Sequence, residues 1–239
     1  MELLELTLPT AAENVALDEA LLDAAEDGRR GRELLRIWEL QSAAVIVGRS
    51  SRVHEEVDVT ECRRRRIDLV RRASGGAAIV AGPGCLMVSL VLDYRTRSEL
   101  RLVDHAHRYV LDRLAAALGQ HVPGVTHSGI SDLAVDGRKF SGNSLRAKRD
   151  WFLYHGTLLY DFELPQIEEL LKTAPRQPAY RQGRSHADFV ANLPLARAAI
   201  VQAAAGAFGA TETAKDWPRD EVARLVRDRY GRDEWTLQR

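Results

Sequence analysis

RRASGGAAIVAGPG, Arg71 to Gly84, sets two arginines directly before a Ser-Gly-Gly turn, then runs through a short apolar segment, Ala77 to Val80, into a second turn. Glycine admits positive φ and lets another group approach bare backbone. Amides exposed in such a turn form a nest for an anion, and an arginine beside it adds permanent charge and a planar donor fork. Two readings follow. In one, the turn receives an anion. In the other, it is an ordinary hairpin turn whose arginines reach outward into solvent.

The flanking sequence frames the turn with strands. "IDLVRR" enters it and "CLMVSLVLDY" follows as a buried strand. Upstream, Leu3 to Leu8 alternates like a strand, and Thr10 with Glu13 predicts a capping box opening a helix to about Ala25. "LLRIWEL" and "AAVIVG" read as two further strands, and Asp58 with Glu61 suggests a second capping box, on a short helix ending in Arg63 to Arg66. Downstream, "RLVDHAHRYVLDRLAAAL" is an amphipathic helix closed by Gly119. Asp136-Gly137 between alternating segments is a hairpin signal. "DWFLYHGTLLYDF" is the long strand after it. From about Leu164 the pattern turns helical, through "PQIEELLK", "HADFVANL", "PLARAAIVQAAAGAF" and "RDEVARLVRDRY". The expectation is a single mixed α/β domain over residues 1–239, with a sheet in the middle and helices at both ends.

Composition narrows the function. The 239 residues carry 34 basic and 34 acidic side chains, which argues against a general nucleic-acid binder. The two cysteines, Cys62 and Cys85, lie too far apart in sequence for a metal knuckle or a disulfide framework. The acidic start "MELLELTLPT" is unlike a signal peptide, and no apolar run reaches the ~20 residues of a membrane span. A reducing cytoplasm, with no membrane partner, is the expected setting. No P-loop, nucleophile elbow or HExxH motif occurs. His105 and His107, two apart on a helix, diverge by roughly 200° and do not share a metal. Arg63 to Arg66 read as a solvated helix end that complements the dipole.

A second segment stands out. Only four lysines occur among the 34 basic residues: Lys139, Lys148, Lys172 and Lys215. Lys139 lies just past the hairpin turn in "DGRKFSGNS", two residues before Ser141-Gly142. An ammonium is a compact point charge suited to a carboxylate or phosphate. Against that stands the plain reading of an exposed strand lysine.

Together these segments resemble the lipoate–protein ligase A family, within the wider biotin/lipoate ligase catalytic-domain group. The likeness runs from "AENVALDEALL" through "LLRIWEL", "AVIVGRS", "LVRRASGGAAI", "SDLAVDGRKFSGNS" and "YHGTLLYDF" to "YRQGRSHADFVANL". The resemblance implies an α/β fold with a mixed sheet, related to the class II aminoacyl-tRNA synthetase catalytic core. It implies a two-step reaction: lipoate or octanoate and ATP give an acyl-adenylate, and the acyl group passes to a lysine of a lipoyl carrier domain, of the dehydrogenase E2 or glycine-cleavage H type. By position, Lys139 takes the role of the family's central lysine, touching acyl carboxylate and α-phosphate. Arg71, Arg72, Ser74, Gly75 and Gly76 carry the glycine-rich motif, and Ala77, Ala78, Ile79 and Val80 the strand along nucleotide and acyl group. Gly142 belongs with the lysine segment, and His155, Gly156 and Thr157 with the nucleotide site. Asp132 matches an acid near the phosphates, implying Mg²⁺.

The chain departs from the family pattern in several places. Ala77 stands where the family has a third glycine, Val80-Ala81-Gly82 where it has an aromatic-His-Asp segment, Gly84-Cys85 for Gly-Asn, and Ser131 for the Asn of an Asn-Asp pair. The family's smaller accessory ligase domain is not expected here, and a separate partner subunit would supply it. An ATP-independent octanoyl or lipoyl transferase is the alternative. Its cysteine belongs near Gly124-Val125, where this chain has none, leaving Cys85 as the candidate thiol. A degenerate binder of acyl groups or carrier domains is a further alternative.

Overall fold

The structure is a computed structural model and describes residues 1–172 and 177–239. β1 (Glu2–Glu5) leads into α1 (Ala11–Glu26), which opens on the expected capping box. The Glu13 N–H donates to Thr10 Oγ1 at 3.2 Å, and the Thr10 N–H donates to the Glu13 carboxylate at 2.9 Å. Then follow β2 (Leu34–Trp38), β3 (Ala44–Val47), α2 (Val53–Glu56), α3 (Val59–Arg65), β4 (Asp68–Arg71), β5 (Ile79–Ala81) and β6 (Cys85–Asp93). Asp58 caps α3 through the Glu61 N–H, and Arg64 and Arg65 turn back to Glu61. The basic run is a solvated helix end, as its sequence suggests.

α4 (Val103–Gly119) precedes β7 (Thr126–Ser128), β8 (Asp132–Val135), β9 (Arg138–Ala147) and β10 (Trp151–Leu159). Asp136 and Gly137, at φ +50° and +69°, form the β8–β9 turn. Two consecutive positive φ values give a hairpin the twist its strands need, and Asp-Gly tolerates them. The chain ends through α5 (Pro165–Leu170), α6 (His186–Phe189), α7 (Arg197–Phe208), β11 (Glu212–Thr213), α8 (Arg219–Leu225) and α9 (Asp233–Thr236). A π turn, Val226–Tyr230, joins the last two helices.

The strands divide into two sheets, where the sequence suggests one. The larger runs β11-β1-β2-β6-β10-β9-β8-β7 and the smaller β4-β3-β5. Both edges of β3 are taken, by β4 in parallel and β5 antiparallel, which leaves β2 to pair with β6. β6 and β10 are buried along their whole length and form the centre of the core. Neighbouring residues on a strand face opposite sides. Tyr154 of β10 therefore meets His107 of α4 at 2.9 Å, while His155 meets Asp18 of α1 at 3.1 Å. The two helices thus cover opposite faces of the large sheet, and His107 is a satisfied core histidine.

"HADFVANL" is helical only over α6. Beyond it the chain extends, because Val190 bridges to Lys139 and the Ala191 N–H donates to the Lys139 carbonyl at 2.9 Å. Tertiary pairing overrides the local pattern there. Among the described residues, no helix is long and apolar enough to cross a membrane.

Candidate active site

The turn after β4 is built inside out. The carbonyls of residues 73 to 77 all point to donors of the protein. Ala73 O accepts from Arg146 Nη1 at 2.9 Å and Ser74 O from the Arg49 N–H at 2.8 Å. Gly75 O accepts from Arg72 Nη2 at 2.5 Å and Ser144 Oγ at 3.0 Å, Gly76 O from Ser51 Oγ at 3.2 Å, and Ala77 O from Arg72 Nη2 at 3.0 Å. Among the described residues, no acceptor takes the N–H of Gly75, Gly76 or Ala77. Gly76 and Ala77 are exposed, and Gly76 sits at φ +86°. With every carbonyl drawn inward, the turn presents the positive ends of its peptide dipoles to the outside.

Neither arginine side chain reaches solvent, so the reading in which they point outward does not hold. Arg71 is fully buried, and its guanidinium donates to the carbonyls of Gly48, Arg49 and Ser51 and to those of Trp235 and Thr236. Arg72 is buried beneath the turn, where burial pushes its pKa down to about 10, so it stays charged at neutral pH. In the structure Arg71 and Arg72 hold backbone carbonyls, and the amides of the turn face out. Arg72→Lys replaces a fork by a point charge that cannot reach Gly75 O, Ala77 O and Ile46 O together. We expect a loss of about 3 kcal/mol in urea unfolding.

Ser74 and His155 lie below the turn as well. Ser74 Oγ is 2.6 Å from His155 Nε2, and His155 Nδ1 is 3.1 Å from Asp18 Oδ2. Arg36 donates to Asp18 Oδ1 at 2.6 Å and Ser89 to Oδ2 at 2.8 Å. Burial alone would raise the Asp18 pKa, but Arg36, His155 and Ser89 outweigh it and hold it below the ordinary value. Arg72 Nε donates to Ser74 Oγ at 3.0 Å, which frees the Ser74 hydroxyl to donate to Nε2 and orients Nδ1–H toward Asp18. All these groups are nearly inaccessible, Ser74 at 1% and His155 at 7%. His155 therefore supports the turn from the core and does not line an open site. Nothing in the sequence links Asp18, Arg36 and Ser89 to His155, since they come from three different elements.

Lys139 arrives through an irregularity. In the β8–β9 ladder Leu133 pairs with Ser141 and Ala134 with Lys139, so Phe140 has no partner. An unpaired residue reverses the facing of the strand beyond it. Lys139 thereby shares a face with Gly142 and Asp132. Its ammonium lies 2.8 Å from Asp132 Oδ1, and a Cβ on Gly142 would sit 2.8 Å from the same nitrogen. The bare Cα of Gly142 makes room for the lysine. Two residues on, on the same face, Ser144 bonds Gly75 O. The outward amides and the Lys139 ammonium therefore border one stretch of β9.

The remaining sequence candidates sort by exposure. Ala78 and Ile79 are half-buried beside the turn, with the Ala78 N–H given to Glu56 at 2.8 Å, whereas Val80 is buried in β5. Gly156 and Thr157 brace β9 from β10. Thr157 Oγ1 accepts the Gly142 N–H at 3.2 Å, and a Cβ on Gly156 would fall 1.8 Å from Asn143 Oδ1. Asp132 does not fit a resident magnesium site. Its Oδ1 holds the Lys139 ammonium and its Oδ2 accepts from Tyr180 at 2.8 Å, so a cation there would meet an ammonium on the same carboxylate. Among the described residues, no three His, Cys, Asp or Glu side chains cluster to hold a metal.

An outward-facing amide turn and a bracketed lysine thus lie on a mixed sheet covered by helices. The lipoyl protein ligase A/B catalytic domain family matches residues 10–204, and the chain belongs to that family. It is 31% identical over 159 residues to a probable lipoate-protein ligase A of Mycoplasma pneumoniae, covering 66% of this chain and 45% of that protein. It is 22% identical to the octanoyltransferase LipM of Clostridioides difficile, covering 68% of this chain and 66% of that one. The chain spans about half the length of the first curated relatives it matches. In fold it is similar to an archaeal bipartite lipoate protein ligase from Thermoplasma acidophilum, described with its E2 lipoyl domain (TM-score 0.84, 20% identity, 99% of this chain and 95% of that one). It is likewise similar to a lipoate-protein ligase A bound with ATP (TM-score 0.81, 21% identity, 99% and 98%). Relatives thus include both ligases and octanoyltransferases.

Proposed function

We propose that this chain activates lipoate or octanoate with ATP and passes the acyl group to a lysine of a lipoyl carrier domain of the E2 or H type. The carrying observation is that the Lys139 ammonium and the turn of Gly75 to Ala77 both lie along β9, which Ser144 ties to Gly75 O. In the first step a carboxylate oxygen attacks the α-phosphorus, a new P–O bond forms, and the bond to the departing pyrophosphate breaks. Negative charge gathers on oxygens of both reactants. Lys139 and the amide dipoles stabilise that charge, the amides without having to reorient. In the second step the carrier amine attacks the acyl carbonyl, a C–N bond forms, and AMP leaves with the oxygen. Gly142, Thr157 and Asn143 keep the strand beneath Lys139 in place.

The ligase with bound ATP supports the nucleotide, and the Thermoplasma system supports both a lipoyl-domain acceptor and a separately supplied accessory subunit. The test is mass spectrometry of a candidate lipoyl domain incubated with this protein, each acid, Mg²⁺, and ATP or none, with and without a candidate accessory subunit. An acyl adduct only when ATP is present supports the ligase reading. No adduct and no acid-dependent ATP–pyrophosphate exchange under any of these conditions favours a binder that does not activate its acid.

The octanoyltransferase relatives raise a second reading, acyl transfer through a thioester. It needs an accessible thiolate. Both cysteines are buried, and burial pushes the Cys85 thiol up to about 12. We expect Cys85→Ser to keep exchange within about twofold of the unmodified protein. Acyl transfer from a carrier-protein donor without ATP, abolished by that substitution, would replace the ligase reading.

A further inference from the structure

We propose that Tyr180 is a positioning residue for acyl activation: through Asp132 it sets how readily the Lys139 ammonium passes to a bound anion. This rests on the reaction proposed above. Tyr180 lies in a short 3₁₀ turn, Ala179–Arg181, far along the chain from Asp132. Its hydroxyl donates to Asp132 Oδ2 at 2.8 Å, on the carboxylate whose other oxygen is 2.8 Å from Lys139 Nζ. Burial first, and then the Asp132 charge, raise the phenol's pKa, so it remains a donor at neutral pH.

The ring is held from two sides. It packs on Phe189 with centroids 5.1 Å apart and on the bare Cα of Gly129, where a Cβ would lie 3.2 Å from Tyr180 Cε1. The surrounding segment is stitched to the hairpin. Arg184 Nη1 donates to Gly137 O, Arg138 Nη2 donates to Val190 O, and the Ala191 N–H donates to Lys139 O.

The buried Asp132 carboxylate thus has two donors. When an anion draws the ammonium away, the phenol remains and carries part of the carboxylate's charge. Without the hydroxyl, Asp132 depends on Lys139 alone and grips it harder. The substrate then competes for its cation at a disadvantage.

Tyr180→Phe keeps the ring and removes only this bond. In ATP–pyrophosphate exchange, kcat/KM for the acid should fall about tenfold. In an Asp132→Asn background the same change should alter it by less than about twofold, because the route through the carboxylate is gone. An equal fall in both backgrounds would mean that Tyr180 only packs, and would overturn the proposal.

A second measurement needs no turnover. Acetylation of Lys139 by an amine-reactive acetyl ester, followed by peptide mass spectrometry, should slow about threefold in Tyr180→Phe. Lys148, paired with Asp23, and Lys215 serve as internal controls. An unchanged Lys139 rate would also overturn the proposal. If the unmodified protein shows no exchange, the proposed reaction fails, and the acetylation rate alone decides the role of Tyr180.

Discussion

Lys139→Ala should lower acid-dependent ATP–pyrophosphate exchange by about a hundredfold or more, the usual effect of removing one preorganised donor from developing charge. Arginine is a poor substitute. The bare Cα of Gly142 leaves room for a slim stem and a compact ammonium, and a planar fork would collide there. The substitution also touches stability. Asp132 is 5% exposed, and without Lys139 its charge keeps only the Tyr180 hydroxyl. We expect a loss of about 2 kcal/mol in urea unfolding. Adding Asp132→Asn removes the stranded charge and should restore much of that stability without restoring exchange. Near-normal exchange in Lys139→Ala would contradict the proposed function outright.

Gly48→Ala should be nearly as damaging, although residue 48 bears no chemistry. A Cβ there would lie 1.9 Å from Gly76 O and 3.0 Å from Gly76 C. Both are backbone atoms of the turn, and Gly76 O is already held by Ser51. The methyl fits only if the turn moves, and the outward amides move with it. We expect exchange to fall about a hundredfold, since small misplacements of positioning groups are costly. Thermal unfolding should drop by several degrees, as about 2 kcal/mol of overpacking strain implies for a domain of this size. Wild-type exchange in this variant would show that the amide turn does not take part.

Much of this was legible in the sequence because it depends on local pattern. The Thr10–Glu13 box, the Asp136-Gly137 turn and the largely apolar run of β6 each act within a few residues, and the structure contains all three. The two segments of the candidate site, Arg71 to Gly76 and Lys139 to Gly142, also stand out in the sequence. What their side chains do was less legible. Arginine beside glycine suggests a ligand fork, but in the structure both guanidiniums turn inward to backbone carbonyls, contributed in part by residues 235 and 236. His155 gave no hint of facing Asp18, because the partners meet only after α1 docks on β10. The unpaired Phe140, which turns Lys139 to its working side, leaves no mark in the alternation of "GRKFSGNS". Tyr180 was likewise hidden in a stretch that read only as part of a family likeness.

The grip of Arg71 on Trp235 and Thr236, returned by the Trp235 indole N–H to Arg71 O at 2.8 Å, spans 164 and 165 residues of chain. During synthesis the arginine leaves the ribosome long before its last two carbonyl partners exist. The fork waits in an incomplete cage, and closing so large a loop is slow. The clamp on the turn is therefore complete only once the last helix has docked on β4. A nascent chain stalled before residue 235 would carry the glycine motif and the lysine, but not the clamp that sets them.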